Sequence, residues 1–412
     1  MDNSNGKINL NHDYQIKINV IDFPFILALI LSEIKYVWGI SLLGINVSDS
    51  FVNYGCIILL TISFFLRLGV GKRTDGSAYD LKSLGFALAF LGISLIIYFR
   101  SSDSSLVLLA LFMIAAYGVD FRKIVGWVFG IKTFYLVLTT IAVRFGWIAN
   151  LVYAEKRGIH YGAGYISYNQ APREYFYIVL CYLFLRDKKV TIKELVVIEI
   201  LAWYYAAVTS SRTTFYMTTL MVIWLLINRV SKDKMFENHF VQFIIRYIFV
   251  LSGSVSYLII RLAERNSVIY TVWNAVSTNR IQLSINALNN YPITIFGQHI
   301  DWVTIRLNNS SWLEYNYVDN SYLKMLLDTG VVYSILILII MTWICNYALK
   351  TNNHILAVIL VSIAIRCIVQ SELLNVNLDI FILLIGAVFS YQNTELTKFQ
   401  LGIKKGTPFP YN

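Results

Sequence analysis

The first candidates for chemistry in this sequence are arginines. The stretch 261–321 carries Arg261, Arg265, Arg280 and Arg306, with no lysine before Lys324. An earlier polar stretch carries Lys156, Arg157 and Arg173, and Arg212 sits in a Ser210-Ser211-Arg212-Thr213 turn. A guanidinium is planar, always charged, and grips phosphate through two parallel hydrogen bonds. The pattern predicts an anionic ligand. The plainer reading is lipid-headgroup contact, or local salt bridges with Glu264, Asp301, Glu314 and Asp319. Aromatics share these stretches: Tyr153, Tyr161, Tyr165 and Tyr168 in the first, and Tyr270, Trp273, Tyr291, Trp302, Trp312, Tyr315, Tyr317 and Tyr322 in the second. Such rings stack on sugars and also anchor helices at a membrane interface. Anchoring explains the mid-loop Trp302 and Trp312 less well. The chain has no Walker loop, GxGxxG, HExxH or GxSxG. It also lacks the Asp-x-Asp site of many sugar-nucleotide transferases, and its five histidines show no ligand spacing, so no metal is implied.

Membrane helices are the elements that must position these residues. Of the 412 residues 57% are hydrophobic and 14% charged, against about 25% charged in a soluble domain. That excludes a soluble globular enzyme, a disordered chain and a secreted disulfide scaffold. Cys56, Cys181, Cys345 and Cys367 all fall inside apolar runs and read as core residues. Met1 to Asp22 is polar and lacks a cleavable signal, so the first apolar helix is expected to act as the insertion signal. The net charge of +10 needs no nucleic acid, because basic residues beside membrane helices supply it.

The expected fold is all-α, one polytopic domain over 1–412. Twelve runs are long enough to span a bilayer: 22–44, 51–70, 83–99, 104–119, 123–146, 174–186, 192–209, 212–228, 240–260, 329–348, 354–370 and 376–391. One set of connections holds Lys72, Arg73, Lys82, Arg122, Lys123, Arg186, Lys188, Lys189, Lys193, Arg229, Lys232, Lys234 and Lys350. The short connections of the other set hold only Arg100 and Arg212. Thirteen against two predicts that both termini are cytoplasmic, and Lys398, Lys404 and Lys405 in the tail agree. Two outer loops follow, 145–173 and 261–321, the second being the larger. Glu33, Lys35, Arg67, Lys132, Glu199, Arg246, Arg366 and Asp379 fall inside the spans. Charge there is a functional hint, although residues near helix ends can snorkel. Arg366 and Asp379 flank the turn that contains Glu372 and are expected to reach the outer site.

Four motifs then line up. Val318-Asp319-Asn320-Ser321-Tyr322-Leu323, followed by Leu326 to Gly330 and a helix, resembles the [HD]-N-S-Y-L motif of Wzy-type polysaccharide polymerases and their relatives, the O-antigen ligases. Arg280-Ile281-Gln282-Leu283 through Pro292 to Phe296-Gly297 is similar to the family's Arg, helix, Pro and Phe-Gly turn. Ser211-Arg212-Thr213 resembles its Ser-Arg turn. Arg157-Gly158 through Gly164-Tyr165 to Asn169 resembles its Arg…Gly-Phe/Tyr…Pro-Asn loop, with Tyr168 in place of the Pro.

The resemblance implies a GT-C-like membrane glycosyltransferase of the bacterial plasma membrane. It would join undecaprenyl-diphosphate-linked oligosaccharide units at the outer face, with no nucleotide sugar, metal or other cofactor. Implied partners are the lipid-linked oligosaccharide, membrane lipids and a chain-length regulator. Arg212 and Arg280, with Arg157 third, are expected to stabilise the leaving diphosphate. Asp319 is the candidate base for the acceptor hydroxyl, or else the N-cap of the following helix. Arg157, Arg173, Tyr165, Asn169, Asn320, Tyr322, Arg366 and Glu372 are the expected substrate-binding residues. An O-antigen ligase shares these motifs, and Asp rather than His at 319 favours the polymerase. A flippase for the same lipid would show internal repeats or broken midplane helices, and the sequence has neither.

Overall fold

The computed structural model describes residues 21–44, 49–69, 81–155, 158–231, 233–277, 280–303 and 316–390. They form α1 (Phe23–Ile40), α2 (Asp49–Gly69), α3 (Leu81–Ser101), α4 (Ser104–Ala115), α5 (Phe121–Arg144), α6 (Gln170–Arg186), α7 (Ile192–Thr209), α8 (Arg212–Val230), α9 (His239–Arg265), α10 (Ser267–Ser277), α11 (Arg280–Asn290), α12 (Ser321–Lys350), α13 (His354–Arg366) and α14 (Ile380–Ser390). Short polar residues set several starts by accepting from free backbone N–H groups of the first turn. Asp103 caps α4, Asp120 caps α5, Asn238 caps α9 and Asn353 caps α13, while Thr191 and Glu194 form a capping box on α7.

Each of the twelve apolar runs lies on a helix. Seven of these helices, α1, α2, α3, α5, α8, α9 and α12, are long and apolar enough to cross a membrane. The other five are α4, α6, α7, α13 and α14. The lateral surface is apolar: Phe65, Phe99, Phe134, Ile200, Trp203 and Leu258 are all exposed, as suits helices facing lipid and not water. The loop 145–173 adds the only strands among the described residues, an antiparallel hairpin of β1 (Val152–Glu155) and β2 (Gly158–Tyr161).

Helices α13 and α14 are central. Residues 356–361 and 380–385 are nearly all under 3% exposed, because a helix apolar on every side is stable only when surrounded. The turn between them, 367–379, is therefore held inside the bundle where the N-termini of α6, α8 and α12 and the C-terminus of α9 converge. A smaller apolar cluster covers that end. It is built from Ile260, Ala263, Ile285, Ala287, Ile300, Val318, Leu323 and Leu327, with Tyr291 and Trp302 packed on it.

α12 begins at Ser321, earlier than the apolar run from 329, and breaks at Gly330 (φ 79°, ψ 179°). That backbone is essentially restricted to glycine. The break frees backbone groups, and the Phe296-Gly297 turn takes them up. Val331 N donates to Thr294 O at 3.0 Å, Val332 N to Ile295 O at 3.2 Å, and Gln298 N to Asp328 O at 3.2 Å. A Cβ on Gly330 would lie 2.6 Å from Ile295 O. Two motifs noticed separately in the sequence thus form one close backbone contact.

Candidate functional site

The segment Asp319–Tyr322 is fixed residue by residue. Asn320 caps α12, its Oδ1 accepting from Tyr322 N at 3.0 Å and Leu323 N at 3.1 Å, while its Nδ2 donates to Ser256 Oγ of α9. Ser321 N donates to Cys367 O at 2.9 Å, and its Oγ donates to Gln370 O at 2.5 Å and accepts from Glu372 N at 2.8 Å. Tyr322 Oη donates to Ala364 O at 2.8 Å. Just upstream, the Tyr317 hydroxyl meets Ser371 Oγ at 2.6 Å. The segment is therefore stitched to the end of α13 and to the 367–373 turn. Asp319 is left over. The N-cap role considered for it belongs to Asn320, and the Asp319 carboxylate pairs instead with Arg280 Nε at 3.1 Å, each side chain 21% exposed.

Arg280 opens α11. Its Nη1 also donates to Val369 O, and the Gln370 amide, turned to face it, accepts at 3.3 Å. Much of the Arg280 fork is thus already engaged in holding the turn and orienting Asp319.

Beneath this pair lies a second one, fully buried. Arg366 binds Glu372 through two parallel bonds, Nε–Oε2 at 2.7 Å and Nη2–Oε1 at 3.1 Å. A buried ion pair holds only if its remaining polar atoms are satisfied. Arg366 Nη1 donates to Thr214 Oγ1 of α8 at 3.2 Å, Tyr177 Oη of α6 donates to Glu372 Oε2 at 2.7 Å, and the guanidinium lies 4.6 Å from the centre of the Phe176 ring. Arg173 stands at the rim, its side chain 22% exposed, and its Nη2 donates to Tyr36 Oη at 2.9 Å.

The two carboxyl groups are pushed in opposite directions. Burial lifts Asp319 above the ordinary aspartate value; Arg280 and Arg173 pull it down and Glu372 pushes it further up. Burial would raise Glu372 too, but the charge and hydrogen bonds of Arg366 outweigh it and leave Glu372 below its usual value. Divergent neighbouring carboxyls mark distinct roles. Glu372 stays ionised as the partner of Arg366, and Asp319 is the better proton acceptor.

Asp319, Arg280, Arg173, Arg366, Glu372, Asn320 and Tyr322 are thus gathered at one end of the bundle. Arg366, Glu372, Asn320 and Tyr322 are buried and frame the site. Arg212 is exposed at the first position of α8, two residues before Thr214, and no ion pair joins it to another described residue. Its turn is held by the hairpin, with Ser210 Oγ donating to Ile159 O at 3.3 Å. Asn169 occupies the N-cap position of α6, and its carbonyl accepts from Arg173 N at 3.2 Å. Tyr165 is 1% exposed, packed in the main core. Arg157, Lys156, Arg306, Trp312, Glu314 and Tyr315 lie outside the described residues. Tyr36, Tyr177 and Thr214 were missed from sequence, because nothing local to each betrays its distant partner. No protein-family model, curated protein or solved structure matches this chain.

Proposed function

We propose that this chain is a membrane glycosyltransferase of the Wzy type. In this reading it lengthens surface polysaccharide by joining oligosaccharide units carried on undecaprenyl diphosphate. The observation that carries the reading is the Asp319–Arg280 pair, mounted on a rigid Asn320-Ser321-Tyr322 segment and flanked by the Arg173 guanidinium. The acceptor hydroxyl attacks the anomeric carbon of the donor, and its proton passes to Asp319. A carbon–oxygen bond forms, the bond from sugar to phosphate breaks, and its electron pair leaves on the diphosphate. That leaving group needs charge stabilisation more than a proton. The partly exposed Arg173 and the exposed Arg212 bring guanidinium charge to that end of the bundle, and Arg280 orients Asp319. No step calls for a metal or a nucleotide sugar.

The same proposal holds all twelve helical runs to be spans in a GT-C-like architecture, with both termini cytoplasmic and the site outside. Support comes from the basic bias of the connections and from the way the helices alternate. Arg122, which donates to Leu185 O, and Arg229, which donates to Val190 O at 3.3 Å, lie at the end of the bundle away from Asp319. The test is the lipid-linked glycan of cells lacking the protein. Single repeat units accumulating outside are the expected result. Long unattached chains would identify a ligase instead, and units trapped inside would identify a flippase.

A further inference from the structure

Several charges around the site pair one to one, the exposed Arg212 and the buried Asp379 standing apart. Arg366 answers Glu372, Arg280 answers Asp319, and Lys132 of α5 answers Glu174 of α6 at 2.7 Å. Left over are Glu33 of α1, 3.3 Å from the same Lys132, and Arg173 at the rim. The carboxylate nearest Arg173 is Glu174 at 3.9 Å, already engaged by Lys132. Arg173 Nε is buried without a hydrogen-bond partner.

A hydroxyl holds Arg173 instead. Tyr36 Oη accepts from Arg173 Nη2 at 2.9 Å and donates to Glu174 Oε1 at 3.1 Å. The other Glu174 oxygen takes Lys132 at 2.7 Å, and the Lys132 ammonium lies 4.9 Å from the centre of the Tyr36 ring. Glu33, Lys132 and Glu174 are each at most 1% exposed and sit on three different helices, so this backing is rigid. A neutral hydroxyl fixes the direction of a guanidinium without cancelling its charge, whereas a carboxylate would do both. The charge of Arg173 reaches Asp319 and Glu372.

We propose that Tyr36, backed by Glu174 and Lys132, is a positioning residue that aims Arg173 at the diphosphate of the lipid-linked substrate. This deepens the function proposed above and rests on it. The network has no counterpart among the four sequence motifs. It assigns a role to intramembrane charges that snorkelling does not explain, since Lys132 and Glu33 are buried inside the bundle.

The test uses purified full-length protein in lipid vesicles, with a lipid-linked repeat unit as substrate and polyprenyl diphosphate and monophosphate as competing ligands. Tyr36→Phe removes one oxygen and keeps the ring beneath Lys132. Loss of an orienting hydrogen bond to a charged group predicts a KM roughly 10-fold or more higher. Preference for diphosphate over monophosphate should fall in parallel, and the melting temperature should drop modestly because Glu174 Oε1 loses its donor. Arg173→Gln should lose at least as much, and adding Tyr36→Phe to it should cost nothing further. If Tyr36→Phe does not fold, Arg173→Lys, which keeps the charge and loses the fork, carries the same comparison. An active wild type whose Tyr36→Phe variant keeps its KM and diphosphate preference would overturn the role of Tyr36 alone. So would losses that add in the double variant. A wild type that binds no polyprenyl diphosphate would overturn the functional reading as well.

Discussion

Asp319→Asn separates the chemistry of this site from its architecture. The helix start is not at stake, because Asn320 caps α12. The ion pair is partly exposed, 21% on each side, and pairs of that kind contribute about 1 kcal/mol or less. Asparagine also keeps an oxygen that can accept from Arg280 Nε. The expected loss of stability is therefore about 1 kcal/mol at most. A positioned general base contributes roughly 10² to 10⁴ in rate, which is about 2.7 to 5.4 kcal/mol of barrier. The rate effect should exceed the stability effect several-fold. The assay is the length distribution of polymer in cells with matched membrane levels of wild type and variant, together with thermal unfolding of both proteins. Wild-type activity should fall as pH drops through the raised pKa of Asp319, because the protonated carboxyl cannot take the hydroxyl proton. That acid limb should lie above the ordinary aspartate value of 3.8 and vanish in the variant. Full-length polymer from Asp319→Asn at normal abundance would refute the assignment and leave Asp319 as a surface ion-pair partner.

Arg212→Lys keeps the charge but loses the fork, so it should fail almost as badly as Arg212→Ala, by roughly 10² to 10³ in rate; a Lys variant that polymerises normally would reduce Arg212 to surface charge. Glu372→Gln leaves Arg366 buried and unpaired, and should lower stability by about 3–5 kcal/mol in thermal unfolding. The Glu372 pKa is lowered on folding, so its contribution is full above the ordinary value of 4.5 and is lost as pH falls through the lowered one; the variant's stability should lack that acid dependence. Gly330→Ala forces a side chain into a backbone region reserved for glycine and against Ile295 O, at a cost of about 1–3 kcal/mol, read as a lower melting temperature. A cysteine at Asp301 should react with an impermeant reagent on intact cells and one at Lys188 should not; the reverse would invert the orientation.

The twelve helical runs were legible because each apolar run carries its own signal, independent of what it packs against. The start of α12 at Ser321 was legible from the polar stretch ending at Asn320, although the apolar run itself begins only at 329. The two strands of the first loop, four residues each, were not. Within the site, Arg280, Asp319 and the Arg366–Glu372 turn were visible as residues of the right type in the right stretches. Their pairing was not fully visible: sequence offered Asp319 as the cap, and the backbone gave that place to Asn320. The bidentate grip expected of Arg280 on a diphosphate is partly pre-empted by Asp319, Val369 O and Gln370. Least legible was the Tyr36 network. Arg173 and Tyr36 are 137 residues apart, and Tyr177 and Glu372 are 195 apart. A polar residue in an apolar helix shows that it needs a partner without showing which helix supplies it.

The most direct test of the central claim is reconstitution. Purified protein in vesicles is given a single lipid-linked repeat unit, with no nucleotide sugar and no added metal. The expected result is a ladder of products at multiples of the repeat unit, with one polyprenyl diphosphate released for each linkage formed. A substrate that crosses the bilayer unchanged in length, or that stays intact with no diphosphate lipid released, would contradict it.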